Sequence, residues 1–368
     1  MLTKEADKKL FLLDAFALIY RAYFAFSKTP RINSKGENTS AAFGFTNALL
    51  DVLKKEKPTH LAVVFDAPGG ATNRMEDFAA YKANREEMPE DIRNMIEPIK
   101  EIIQAFKIPI LLKEGFEADD IIGTLAKEAE KRGFLTYMMT PDKDFEQLVS
   151  ENIFMYKPGR GGKPAEVLGV KEVCEKFGIK RTEQVIDMLG MWGDQVDNIP
   201  GIPGVGEKTA QKLLAEYDTL EAVLENADKI KGKLGEKIRD NKEQALISKK
   251  LATIIIDAPV EFKENELKVE PLNNDLLLEL FTELEFRGLS KRLLGEEIKA
   301  TPTTAPLSAG QQMDMFSSPE EKQTGSADNK NDLKEENGVL PLEVNELKNL
   351  ENTPHNYILV DNQQKLEA

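Results

Sequence analysis

Residues 10–16 read LFLLDAF and residues 60–66 read HLAVVFD. Each is an apolar run of strand length that closes on a carboxylate, Asp14 in the first and Asp66 in the second. IPILLKEG (108–115) and FLTYMMTPD (134–142) have the same character. Residues 41–55, 93–106 and 118–131, between these runs, read as helices. Such alternation predicts an α/β core, a mostly parallel sheet flanked by helices, whose working site lies outside the carboxyl ends of the strands. Asp14, Asp66 and the pair Asp142/Asp144 fall at those ends. From Val170 to about Gly295 the pattern becomes helical with short connections, which predicts a helical subdomain.

The chain has 368 residues, one Cys and two His. That length suits more than one folding unit, while so little Cys and His argues against a disulfide framework or a zinc site. The first apolar run is interrupted by Asp14, so it reads as a buried strand rather than a signal peptide or membrane span. A cytoplasmic location without a membrane partner is expected. A net charge of −15 looks wrong for a nucleic-acid binder, but 12 acidic and five basic residues lie from Thr301 onward. The remaining deficit in residues 1–300 is smaller than the number of carboxylates singled out next, so charge does not exclude DNA.

Nine of the acidic residues in the first two hundred positions stand out by their placement: Asp14, Asp66, Glu117, Asp119, Asp120, Asp142, Asp144, Asp194 and Asp197. Oxygen-only ligands select hard divalent cations, Mg²⁺ or Mn²⁺. Two such ions about 3.5–4 Å apart clamp a phosphodiester between an attacking and a leaving oxygen. The bland alternative is helix capping, since Asp and Glu favour first turns, as EADD and DKD here would. A different Mg²⁺-dependent phosphate enzyme, such as a phosphatase, is a further alternative.

Asp194 and Asp197 lead into NIPGIPGVGEKTAQKLLAEY, where Gly201, Gly204 and Gly206 separate two helical stretches. Glycines permit a tight turn, and the second helix directs free N–H groups at an anion. This is the helix-hairpin-helix pattern, which grips duplex phosphates without reading sequence, with Lys208 and Thr209 placed to add contacts. A plain helix–helix connection is the alternative. Residues 70–92 offer Arg74, Phe78, Tyr81 and Arg85 at helical spacing, with Lys82 beside them. Cations there would neutralise a scissile phosphate, and Tyr81 would stack on an unpaired base. A solvated helix with an apolar stripe explains the same spacing. Arg21, in YRAYFAF, is equally ambiguous.

Asp14 with IYRAYFAF, VVFDAPGG, YKANR, GFEADD, TPDKDFEQLV and GDQVDNIPGIPGVGEKTA occur in the order seen in structure-specific 5′-nucleases. Over roughly residues 10–295 the chain closely resembles the flap endonuclease-like 5′-nuclease domain family found at the N-terminus of bacterial DNA polymerases I. The resemblance implies a PIN-like core over 1–178 with a helical arch at about 70–95, and a helical subdomain over 179–298. It implies that Asp14, Asp66, Glu117, Asp119, Asp120 and Asp142 serve one metal cluster and Asp144, Asp194 and Asp197 a second. Tyr81, Lys82 and Arg85 match the arch, with Lys82 and Arg85 on the reacting phosphate, and Arg21 matches a position near the scissile strand. Gly201, Gly204 and Gly206 match the duplex-binding hairpin, often occupied in the family by K⁺. Val196 stands where the family commonly has Ser. The implied substrates are DNA with a 5′ flap or nick and RNA primer–DNA hybrids. A pure DNA-binding scaffold and a PIN-like ribonuclease compete with this reading; ribonucleases of that kind generally lack the appended hairpin.

Residues 299–338 are poor in large apolar residues and read as a flexible linker. Within them Gln312, Met313, Asp314, Met315 and Phe316 resemble the pentapeptide that docks on bacterial sliding clamps. Residues 339–368 read as the truncated start of a 3′→5′ exonuclease-like domain: TPHNYILVDNQQKLEA (353–368) resembles its first strand, and its D-x-E carboxylates would lie beyond Ala368. Neither polymerase nor proofreading activity is therefore expected of this chain. A monomer is expected, as nothing in the sequence suggests a self-complementary surface.

Overall fold

The computed structural model describes residues 8–70, 72–159, 163–295 and 298. The first part of the chain runs β1 (Lys9–Asp14), α1 (Ala15–Ala25), α2 (Ser40–Asp51), β2 (His60–Val64), α3 (Thr72–Asp77), α4 (Glu90–Ala105), β3 (Ile110–Leu111), α5 (Ala118–Lys131), β4 (Leu135–Met139), β5 (Ile153–Lys157) and β6 (Glu166–Leu168). Helices follow: α6 (Val170–Phe177), α7 (Gln184–Trp192), α8 (Glu207–Tyr217), α9 (Leu220–Glu225), α10 (Gly232–Asp240), α11 (Lys242–Ala252), α12 (Asn274–Glu283) and α13 (Arg287–Leu294).

The strands form one sheet in the order β3-β2-β1-β4-β5-β6, parallel except for β6. Alternate residues of β1 point to opposite faces, as a pleated strand requires. Leu10 and Leu12 pack with Ile121, Ile122 and Leu125 of α5; Phe11 and Leu13 pack with Leu18, Phe45, Leu49 and Ile102 on the other face. Burial of each such side chain contributes about 1.5–3 kcal/mol, which is why strands this apolar are stable only between two helical layers. The chain winds outward from β1 to β3, then returns to β4 on the other side of β1. The gap between β1 and β4 is thus the point where the winding reverses, the place where open α/β sheets bind ligands. Register puts Leu13 opposite Met139 and Asp14 opposite Val64, so Asp14, Asp66 and Thr140 emerge side by side.

Three sequence expectations change. The 108–115 run forms a strand only at Ile110–Leu111. IFMYK (153–157) and Glu166–Leu168 add two strands, although the aromatic and β-branched residues of the former were a readable signal. Residues 70–92 are not one helix: α3 ends at Asp77, turns follow to Asn84, and α4 begins after Pro89. Lys82 lies in the left-handed region at φ 56°, which no α-helix tolerates, and the residue before Pro89 is disfavoured from helix. The apparent stripe of Arg74, Phe78, Tyr81 and Arg85 therefore does not exist as a helix face.

Candidate nuclease site

The acids at the strand ends are held by ordinary local chemistry. Asp14 caps α1, its Oδ1 accepting from the Ala17 amide (3.2 Å) and its Oδ2 from the Thr140 hydroxyl (3.0 Å). Asp66 accepts from the Ala118 amide at the start of α5 (2.9 Å). Glu117 is the residue before α5 and Asp119 lies in its first turn. Asp142 accepts from the Asp144 amide (3.0 Å) as it opens a short 3₁₀ turn over Lys143–Leu148. Asp194 Oδ1 accepts from the Val196 amide (2.8 Å), while the Val196 side chain is 69% exposed, so the backbone rather than a side-chain hydroxyl orients this carboxylate. Capping does not exclude proximity: the residues that cap these helix starts also lie within reach of one another's charge.

Electrostatics shows that convergence. Burial pushes the Asp14 carboxyl up to about 7, with the charges of Asp66 and Asp142 acting in the same direction. Burial also raises Asp144 to about 7, reinforced by Asp142, Asp194 and Asp197. Asp66, Asp119 and Asp142 are raised as well, each first by burial, then by neighbouring carboxylates that include Glu117 for Asp66 and Asp119. Eight of the nine predicted acids thus lie within one shared field: Asp14, Asp66, Glu117, Asp119, Asp142, Asp144, Asp194 and Asp197.

Cations of the chain balance them. Lys82 Nζ lies 2.5 Å from Glu117 Oε1 and 3.7 Å from Asp197 Oδ2, and an Arg85 Nη donates to Asp197 Oδ1 at 2.6 Å. Lys143 donates to Asp194 and lies 3.4 Å from Asp144 Oδ1. Burial disfavours charge on Lys82 and on Lys143, but the surrounding carboxylates outweigh it and raise both. Among the described residues no three acids already close around a single point. The donor set still fits a hard divalent cation. It is all oxygen, it is over-charged by its own proximity, and Asp144 Oδ1 is buried without a hydrogen-bond donor. Mg²⁺ keeps several waters and needs only one or two carboxylates, so an open cluster suits it.

Four predicted residues are placed differently from expectation. Asp120 is 1% exposed, and both its oxygens are fully engaged: Oδ1 accepts from Arg74 and the Ile255 amide, Oδ2 from Arg74 and the Glu117 amide. With no free lone pair it orders the start of α5 instead of facing the cluster. Arg74, read as a DNA contact, is buried; besides Asp120 it holds Glu117 (3.1 Å) and the carbonyls of Leu251 in the last turn of α11 and Thr253 just after it. A fixed fork of donors matches this set of oxygens. Tyr81 is also buried, its hydroxyl donating to Glu117 Oε2 (3.2 Å), so its ring is not presented for stacking. Arg21 donates to the carbonyls of Pro158 and Gly159 (2.7 and 2.6 Å) beyond β5.

The hairpin forms as anticipated from the glycines. Gly193 and Gly201 are both in the left-handed region, and a Cβ on Gly201 would lie 2.5 Å from the Gly193 nitrogen. Gly204 (φ 79°) turns the chain, Gly206 precedes α8, Lys208 is exposed and Thr209 lies in the first turn of the helix. A pocket of about 670 Å³ runs from Lys143 and Asp194 past Trp192 to Gly204 and Gly206, joining the hairpin to the acids. Sequence reading overlooked Thr140, Lys143, Asn84 and Asn198, although Lys143 sits between two singled-out aspartates. The predicted linker, the Gln312–Phe316 motif and residues 339–368 lie outside the described residues.

Residues 9–178 match the family model described as 5′-3′ exonuclease, N-terminal resolvase-like domain, and residues 180–275 match 5′-3′ exonuclease, C-terminal SAM fold. The chain belongs to the 5′-3′ exonuclease family. It is similar to DNA polymerase I of Bacillus subtilis (strain 168), 44% identical over 291 residues, covering 79% of this chain and 32% of that protein. DNA polymerase I of Bacillus caldotenax is 42% identical over 287 residues, covering 78% and 32%. The chain thus spans about a third of the length of these relatives. Among solved structures, a bacteriophage T5 D15 flap endonuclease complex with DNA and metal ions shares the fold at a TM-score of 0.55 and 18% identity, covering 76% of this chain and all (100%) of that one.

Proposed function

We propose that this chain is a divalent-metal-dependent, structure-specific 5′-nuclease that hydrolyses a phosphodiester near the 5′ end of one strand at a single-strand/duplex junction. The observation that carries the reading is the gathering of eight carboxylates, from the ends of β1, β2 and β4, the start of α5 and the hairpin loop, around Lys82, Arg85 and Lys143. Asp14, Asp66, Glu117, Asp119 and Asp142 are the residues that would hold or orient one divalent ion, Mg²⁺ or Mn²⁺, and Asp144, Asp194 and Asp197 a second. Such ions, when bound, supply Lewis acidity and an activated water at neutral pH. Lys82 and Arg85 place two positive charges at the rim of the acids, where they exchange a carboxylate for the scissile phosphate and stabilise its developing charge. Arg74 and Asp120 keep Glu117 and the first turn of α5 in position.

The hairpin at Gly201, Gly204 and Gly206, with Lys208 and Thr209, grips the backbone of the duplex, with a K⁺ ion as the proposed bridge. A phage relative of the same fold was crystallised with DNA and metal ions, which supports this division of labour. The proposed substrates are 5′-flap or nicked DNA and RNA primer–DNA hybrids, in keeping with primer removal and repair in a bacterial cytoplasm. Gln312–Phe316 is the proposed docking segment for a sliding clamp, and the chain is proposed to act as a monomer. Incubation of a 5′-labelled flap with Mg²⁺ should release a short 5′ product, and EDTA should abolish release while leaving duplex binding. Binding without any Mg²⁺-dependent product would instead favour a DNA-binding scaffold.

A further inference from the structure

From Phe78 to Pro89 the chain forms turns and irregular backbone, with neither helix nor strand. Local turn bonds (Tyr81 amide to Phe78 carbonyl, Ala83 to Ala80, Arg85 to Lys82) shape this segment but do not by themselves fix it over the acids. Three hydrogen bonds to the loop before the hairpin do so. The Lys82 amide donates to the Asp197 carbonyl (3.0 Å), Asn198 Nδ2 donates to the Ala80 carbonyl (2.6 Å), and Asn84 Nδ2 donates to the Gln195 carbonyl (2.7 Å). Lys82 and Asn198 both adopt left-handed backbone, φ 56° and 57°, so the two facing loops are shaped to meet each other. Asn accepts that conformation more readily than most residues; Lys does not, and here it does so against the clasp.

We propose that Asn84 and Asn198 are positioning residues: their side-chain amides clasp the 80–85 segment to the hairpin loop and so set where Lys82 and Arg85 stand over the acids. The inference rests on the 5′-nuclease reading and extends it. Gripping the duplex and selecting the phosphate to be cut become one mechanical unit, because the loop that opens the hairpin also carries the anchor for the selecting cations.

The test uses the full chain with Asn198→Gly, which keeps the left-handed backbone and deletes the amide, and Asn84→Ala, singly and combined. Asn198→Asp, which keeps the size and turns an acceptor toward the Ala80 carbonyl, is the second route should the glycine variant fold poorly. Hydrogen exchange in EDTA is expected to show the Lys82 amide losing about tenfold protection in the double variant. On a 5′ flap with Mg²⁺, the single-turnover rate should fall by about tenfold to a hundredfold, the cost of slight misplacement of reacting groups. The cut should also spread over neighbouring phosphodiesters while duplex affinity in EDTA stays within about twofold. A merely structural staple would lower stability but leave the cut position alone. Unchanged Lys82 protection together with a single wild-type cut position overturns the proposal. Should the wild-type chain cut no flap, the nuclease reading fails, and the exchange measurement decides the clasp by itself.

Discussion

The Lys143 ammonium is hydrogen-bonded to the Asp194 carboxylate, 51 residues further along the chain, and so ties the 3₁₀ turn after β4 to the loop that begins the hairpin. It stands between the two acids that flank it in sequence, Asp142 and Asp144, and Asp194 from the helical part. Without metal this cation performs part of the charge neutralisation proposed above for a divalent ion.

Replacing it should therefore unmask the repulsion. Lys143→Met is expected to destabilise the EDTA-treated protein by about 1–3 kcal/mol, the range for stranding buried polar partners. Mg²⁺ should recover more stability in the variant than in the wild type. Urea unfolding with and without Mg²⁺ measures both; equal stability in EDTA would rule out the counter-ion role.

Proton linkage gives a second expectation. Asp14 and Asp144 have folded-state values raised from 3.8 to about 7. Between those values the folded protein retains protons that the unfolded chain has released, so their contribution to stability is full below about pH 4 and lost as pH rises through 7. Without metal, thermal stability should accordingly decline from pH 5 to pH 8. Saturating Mg²⁺ should flatten or reverse that slope, because the ion favours the ionised carboxylates. Calorimetry at fixed ionic strength would show it, and a metal-free Tm that rises across this window contradicts the account.

Asp119→Ala and Asp142→Ala are expected to lower flap cleavage by at least about a hundredfold, in the range seen on removing preorganised electrostatic groups. Duplex affinity should change little. Gel-shift titration beside a cleavage time course distinguishes this from misfolding, and full activity in either variant would refute the assignment.

Arg74 and Lys208 should separate structure from binding. Arg74→Ala leaves Asp120 a buried carboxylate without its cation, while Glu117 keeps Lys82, and should cost about 3–5 kcal/mol of stability. Lys208→Ala should leave stability alone yet weaken duplex binding and reduce its salt dependence by about one phosphate contact. Chemical unfolding and salt-dependent affinities measure the pair; a normal stability for Arg74→Ala would return that residue to the DNA surface.

Much of this was open to inspection in the linear chain. Uninterrupted apolar runs ending on Asp14 and Asp66, spaced by helical periodicity, dictate a parallel sheet with its acids at one edge, because only two-sided burial satisfies such strands. GIPGVGE dictates the hairpin, since few residues besides glycine accept its left-handed turns. These are local rules, and they hold wherever the sequence is placed. Partnership across long separations obeys no such rule. Arg74 looked like a surface cation until the start of α5 and the end of α11 supplied five oxygens to surround it. Asp120 looked like its neighbour Asp119 until those same contacts filled its lone pairs. Lys82 was put on a helix by spacing alone, whereas the loop at Asp197 and Asn198 draws it into a turn. Charges and amides of one kind are interchangeable along a chain; burial and the nearest opposite partner, which only folding assigns, decide what each of them does.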